Sequence, residues 1–317
     1  MSELHEATGV TRRGALGFTG LGLAGASLAA GLGTAQAQET IASTTGMVDD
    51  NGVPLWFQTT GRGEPLVLTG GFGLLHDQWH YIRPILAKNY TVIDWHYRGN
   101  GLSDRSWPGT HTFERWVDDL KVVLDHLKVK RCHLWGTSTG AKLSIRFASR
   151  FPKMAQSLIT YPSFRGGGRA PNDPFIALGA RFGYEALGRM YQWYGCAEEN
   201  KWNMRGNEIA QFEAASFSRN FSLANFAETL DIFGRADLTA DLGRMKLPML
   251  LLLGESGTLG SARPNMQNTI AEVRKLCPQA ELKTIPKAGG TYCVIEEPQA
   301  TADAALEFLQ RHPIKRA

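Results

Sequence analysis

The chain has 317 residues, 43% of them hydrophobic and 20% charged, with a formal net charge of +4. That length buries a sizeable core as one α/β domain or two small ones. Basic and acidic residues are interspersed, which leaves no footprint for nucleic acid. Four cysteines (Cys132, Cys196, Cys277 and Cys293) lack C-x-x-C spacing; this argues against a zinc cluster and leaves any disulfide pairing open.

The first predicted element is not part of the fold. Arg12 and Arg13 precede a mildly apolar Gly/Ala-rich run that ends in Ala35-Gln36-Ala37. A basic start, an apolar centre and an A-x-A cleavage site make residues 1–37 an export signal. The paired arginines resemble a twin-arginine signal. A membrane anchor needs about 20 strongly apolar residues, and here glycines and threonines interrupt the run. Cleavage after Ala37 leaves a periplasmic or secreted protein with no membrane attachment. Its folding before export cannot depend on disulfides.

After a polar leader, "VPLWFQTT" alternates like an edge strand and "GRGEP" is turn chemistry. "LVLTG" is a strand buried on both faces, followed by the loop Gly70-Gly71-Phe72-Gly73 and the amphipathic "HDQWHYIRPILAKN". "YTVIDW" is a second buried strand and "HYRGNGLSD" a loop. Phe113, Trp116, Val117, Leu120, Val123, Leu124 and Leu127 share one face of a predicted helix. "CHLW" is a strand, "AKLSIRFASRFP" a helix stopped by Pro152, "SLITYP", "PMLLLLG" and "ELKTIP" further strands, and "PQATADAALEFLQRH" a closing helix. Strands alternating with helices imply a mostly parallel, doubly wound sheet covered on both faces.

Residues 164–240 break that rhythm with many aromatics and no convincing strand, and read as a helical cap inserted into a core of residues 46–163 and 241–312. Pockets of open α/β sheets lie at the carboxyl ends of the strands. Cap aromatics, Trp193 and Trp202 among them, are therefore candidates to line a small-molecule site.

Gly136-Thr137-Ser138-Thr139-Gly140 matches G-x-S-x-G between a strand and a helix. Such a turn needs minimal side chains two residues either side of the serine and leaves its oxygen exposed above the sheet. The Thr139 N–H then belongs to a helix N-terminus, where the dipole favours negative charge.

With the glycine loop, Arg98-Gly99-Asn100-Gly101-Leu102-Ser103-Asp104, "LPMLLLLGE" and "IPKAGG…EEP", this elbow resembles the α/β-hydrolase superfamily in its capped, serine-nucleophile, esterase- or lactonase-like form, from Gly46 to Arg311. The resemblance implies Ser138 as nucleophile, and the backbone N–H groups of Phe72 and Thr139 as the oxyanion hole. No cofactor is expected, since "GGFG" lacks the G-x-G-x-x-G frame of a dinucleotide site and its following acid.

The chain departs from the family pattern in three places. The slot of the usual triad acid holds Gly257, that of the histidine holds Gly290, and His96 stands where an aspartate is expected. His312, the last histidine, lies beyond the closing helix. Any imidazole base must come from upstream, and His96, at the carboxyl end of a central strand, is the candidate. His133 and His126 read as structural, and His111 as solvated or capping. His76 and His80 are four apart after the glycine loop and are candidate pocket residues; with no third ligand in view, no metal site is expected. Glu255 is the candidate acid. Lys142, four residues past Ser138, is either a second candidate base or a paired side chain.

Three readings follow. One is an exported hydrolase of an ester or lactone of an apolar or aromatic small molecule, with a non-standard base. The second is a ligand-binding protein that keeps the pocket and has lost the triad. The third is a lyase or isomerase that uses the oxyanion hole without acyl transfer.

Overall fold

The computed structural model describes residues 41–315 except 105–108, 167–173, 202 and 257–262. The expected signal, Trp202 and the Gly257 slot lie outside the described residues. Strands β1 (Ser43–Asp50) and β2 (Val53–Thr60) form a hairpin. They are followed by β3 (Glu64–Thr69), β4 (Tyr90–Trp95), β5 (Cys132–Gly136), β6 (Ala155–Thr160), β7 (Met249–Ser256) and β8 (Ala280–Gly289). Across the sheet the order is β1-β2-β4-β3-β5-β6-β7-β8. The pairings β1–β2 and β2–β4 are antiparallel and the rest parallel.

The central strands read as unbroken apolar runs because alternate residues feed two different cores. Val67, Leu134 and Leu251 enter one cluster, with Trp116, Leu124 and Phe147. Their neighbours Leu66, Leu68, Trp135, Leu250 and Leu252 enter the other, with Leu86, Ala305 and Phe308.

One expectation is corrected at the sheet edge. "VPLWFQTT" is second from the edge, and the polar leader before it supplies the edge strand β1. The cause is the hairpin turn Asn51-Gly52, with φ of 56° and 87°. Asn-Gly tolerates the two positive φ values that a type I′ turn demands. An edge strand pinned in this way needs no apolar alternation, and β1 is largely exposed.

Helices α1 (Arg83–Leu86), α2 (Phe113–His126) and α3 (Thr139–Arg150) intervene among the first six strands. Between β6 and β7 come α4 (Pro174–Gly195, broken at Gly183), α5 (Met204–Asn220), α6 (Leu223–Arg235) and α7 (Thr239–Arg244). Asn203 and Ser222 cap α5 and α6, their side chains accepting the Gly206 and Asn225 N–H groups. Helices α8 (Arg263–Leu276), α9 (Cys293–Glu296) and α10 (Pro298–Gln310) complete the chain. None of the described helices is long and apolar enough to cross a membrane. All four cysteines are buried and free.

An aromatic cluster and a buried lysine are among the contacts that fasten the helices between β6 and β7 over the carboxyl ends of the strands. Phe72, from the glycine loop, enters an apolar cluster with Leu187, Phe217, Phe221, Phe226 and Leu230. Buried Lys142 donates from Nζ to the carbonyls of Arg165, Phe233 and Ala236 at 2.7, 2.7 and 2.9 Å. Two of those carbonyls belong to the C-terminal turn of α6, where unsatisfied carbonyls and the helix dipole favour a cation.

Candidate active site

Ser138 closes β5 and starts α3 with φ 50° and ψ −116°, a strained backbone for a residue with a side chain. The two flanking glycines make the turn possible. A Cβ on Gly136 would sit 2.4 Å from the Gly140 carbonyl oxygen, and one on Gly140 would sit 2.1 Å from that of Thr69. Ser138 is half-buried, and its side chain makes no hydrogen bond among the described residues.

The glycine loop lies directly against it. A Cβ built on Gly71 would be 3.3 Å from the Ser138 Cβ. The N–H groups of Phe72 and Thr139, the two expected oxyanion donors, form no hydrogen bond among the described residues and so remain available to an acyl oxygen. Gln78, in the single turn Leu75–Trp79, holds this arrangement from beneath. Its Oε1 accepts the Gly71 N–H at 2.7 Å and the Thr137 hydroxyl at 2.8 Å, while its Nε2 donates to the Thr291 carbonyl at 3.4 Å.

His96 is fully buried and turned to other partners. Its Nδ1 accepts the Leu102 N–H at 2.9 Å, so the neutral ring carries its proton on Nε2 and donates to His76 Nδ1 at 2.8 Å. Trp56 packs against both rings, at 4.4 and 4.8 Å between centroids. Burial is the main cause that holds the His96 pKa well below the ordinary imidazole value, with His76 and Arg83 adding to it. Burial also lowers His76, against the opposing pull of Asp77. With both nitrogens engaged, His96 keeps no lone pair for Ser138. It ties the 98–104 loop instead.

The other sequence candidates are dispersed. His76 meets His96 rather than His80, and His80 is exposed beside Tyr81. Trp193 is on the surface, with Lys201 Nζ 5.2 Å from its ring centroid. Glu255 is exposed at the end of β7. Lys142 has three carbonyl partners, which explains its burial without a role as a base. His111, expected to be solvated or capping, is buried, with Nδ1 2.8 Å from Glu228 Oε2 of α6. His133 bridges Ser157 and Glu64 in the core.

Next to Gly290, the expected histidine slot, the covering helices close in. A Cβ on Gly289 would lie 1.9 Å from the Gly195 carbonyl oxygen, and one on Gly195 would lie 1.9 Å from the Tyr292 ring. Glu296 accepts from the N–H groups of Gly289 and Ala197 and from Asn200 Nδ2. Beside it, Tyr292 donates to the fully buried Glu213 of α5, whose second oxygen has no partner among the described residues. Sequence inspection passed over Gln78 and Glu213 because neither belongs to a pattern; only their burial and contacts mark them.

Burial raises the Glu213 carboxyl well above its ordinary value, with the Tyr292 hydrogen bond opposing. The native state thus favours the protonated form. The stability this contributes is fully present below the unfolded carboxyl pKa of about 4.3 and is lost as pH climbs towards the raised native value. Glu213→Gln is therefore expected to gain thermal midpoint relative to wild type as pH is raised from 5 to 8. Equal differences at both pH values would contradict a neutral Glu213.

Residues 64–290, more than half of the chain, match the alpha/beta hydrolase fold family, and the chain belongs to it. It is 26% identical to the non-heme chloroperoxidase CPO-A1 of Kitasatospora aureofaciens over 276 residues, 82% of this chain and 98% of that one. Similarity to the putative carbamate hydrolase RutD of Pantoea ananatis is 30% over 102 residues, 32% of this chain and only 37% of that protein. A thermophilic esterase from Thermogutta terrifontis superposes with a TM-score of 0.70 at 25% identity, covering 85% of this chain and all of that one. The enol-lactonase of Burkholderia xenovorans shares the fold with a TM-score of 0.71 at 20% identity, covering 84% of this chain and all of that one.

Proposed function

We propose that this hydrolase-family chain is exported through its twin-arginine-like leader and takes the acyl group of a small apolar or aromatic ester or lactone onto Ser138. The observation that carries the reading is the strained Ser138, set against a glycine loop that leaves the Phe72 and Thr139 N–H groups open. Strain of this kind persists only where the surroundings enforce it, and it clusters at reacting groups. The phenyl cluster around Phe72 makes the surroundings of the glycine loop apolar, and the likeness to an esterase agrees with an ester bond.

As the Ser138 Oγ–C bond forms, the carbonyl electrons move onto oxygen between the two N–H donors. The hydroxyl proton leaves to water, because among the described residues no imidazole is hydrogen-bonded to Oγ. The leaving alkoxide takes a proton in turn, and water later releases the acid. Loss of a triad histidine costs about 10⁶ in kcat, while an oxyanion hole and binding alone retain about 10³–10⁴ over water. Turnover is accordingly slow and favours activated esters.

The test is hydrolysis of aryl esters and lactones by the mature protein beside Ser138→Ala and His96→Ala. Wild type is expected above background, Ser138→Ala at background, and His96→Ala active but less stable. A folded His96→Ala without activity would restore His96 as the base. If wild type equals Ser138→Ala throughout, acyl transfer is wrong. The ligand-binding reading, favoured by the closed Gly289–Gly195 contact beside the Gly290 slot, would then replace it.

A further inference from the structure

We infer that Gln78 is a positioning residue that sets the two oxyanion donors in register, an inference that rests on acyl transfer at Ser138. The hole needs two segments in register, the glycine loop carrying Phe72 and the elbow carrying Thr139, and a third, the single turn Gly290–Tyr292, lies against the same side chain. One amide, 2% exposed, bonds to all three. Its contacts on the first two are each one residue from a working group. Gly71 precedes Phe72, and Thr137 precedes Ser138.

The chemistry of the contacts selects glutamine. Two donors, the Gly71 N–H and the Thr137 hydroxyl, converge on one oxygen, and a carbonyl faces the nitrogen, so the amide orientation is determined. Only a neutral side chain with both an acceptor and a donor on one planar group satisfies them. Glutamate would accept from Gly71 and Thr137 but repel the Thr291 carbonyl. It would also set a negative charge beside the oxygen on which negative charge develops during acyl transfer.

Gly71 lies close against both groups, since a methyl group there would press on Gln78 Oε1 at 3.2 Å and Ser138 Cβ at 3.3 Å. A displacement of the loop by about 1 Å is enough to cost 10²-fold in a reaction that depends on alignment. Loss of one oxyanion donor costs about 10²–10³.

The experiment compares wild type, Ser138→Ala, Gln78→Leu and Gln78→Glu on one aryl ester from pH 5 to 9, with hydrogen exchange followed at the Gly71 and Phe72 amides. Gln78→Glu preserves the volume and two of the three bonds, which guards against a Gln78→Leu protein that fails to fold. In Gln78→Glu, kcat is expected to fall about 10²-fold at pH 8 with KM unchanged. Its ratio to wild type should recover as pH falls through the introduced carboxyl's pKa. Gln78→Leu should speed exchange at Gly71.

A folded Gln78→Glu with wild-type kcat, or one whose deficit ignores pH, overturns the positioning role while Ser138-dependent turnover stands. If wild type shows no turnover above Ser138→Ala, acyl transfer fails, and exchange alone decides. Faster exchange at Gly71 in Gln78→Leu would keep Gln78 as the organiser of the loop. Unchanged exchange would remove that role too.

Discussion

Gly140→Ala is expected to dismantle the elbow, with a loss of roughly 3 kcal/mol or more of stability. The new methyl would fall 2.1 Å from the carbonyl oxygen of Thr69 and 2.5 Å from that of Gly70. Both neighbours are backbone, one closing β3 and the other opening the glycine loop, so neither can turn aside as a flexible side chain would. Relief requires α3 to lift from the sheet or the loop to retreat from Ser138. At roughly 2–4 °C per kcal/mol for a chain of this size, the thermal midpoint should fall by about 10 °C. Reactivity of Ser138 towards a fluorophosphonate should vanish with it. A variant that melts with wild type and still labels would show that the turn is looser than its contacts imply.

Lys142→Met is expected to free the α6 end of the covering helices. Methionine fills the same volume but leaves the buried carbonyl of Phe233 and the part-buried carbonyls of Arg165 and Ala236 without the donor they share. Each unsatisfied buried acceptor costs about 1–3 kcal/mol where water cannot reach it. A net loss of about 3 kcal/mol is expected, because α6 can shift to admit water. Phe233 stacks on Trp116 of α2, at 5.0 Å between centroids, so that displacement should register in tryptophan fluorescence. Hydrogen exchange should quicken in the last turn of α6 before the sheet is affected. Uniform destabilisation with no local change at α6 would show that Lys142 is merely one more core side chain.

Both predictions concern residues visible in the sequence, but visible in different ways. The glycines flanking Ser138 follow from the motif, since a strand that turns into a helix within three residues leaves no space for Cβ atoms. Lys142 was conspicuous as a charge in an apolar helix, yet a list of residue types does not say whether a buried ammonium meets a carboxylate, a serine or a set of carbonyls. Its partners lie 23, 91 and 94 residues away in the chain. His96 shows the same limit. Its place at the end of a central strand was legible, and the direction of its two nitrogens was not.

What the sequence determined by itself was whatever local periodicity and turn chemistry enforce. It contained the parallel strands as apolar runs, the helices as 3.6-residue stripes, and the glycine-flanked serine turn. It concealed β1, because an Asn-Gly hairpin can pin a polar strand without an apolar pattern.

Only the tertiary structure decided which side chains meet. Gln78 reaches three loops at once, and Glu213 is buried against Tyr292. Hydrogen-bond geometry depends on tenths of an ångström between segments that folding brings together, and nothing in the spacing of residues along a chain carries that information. That is why the glycine-flanked serine turn could be read from the sequence and the company it keeps could not.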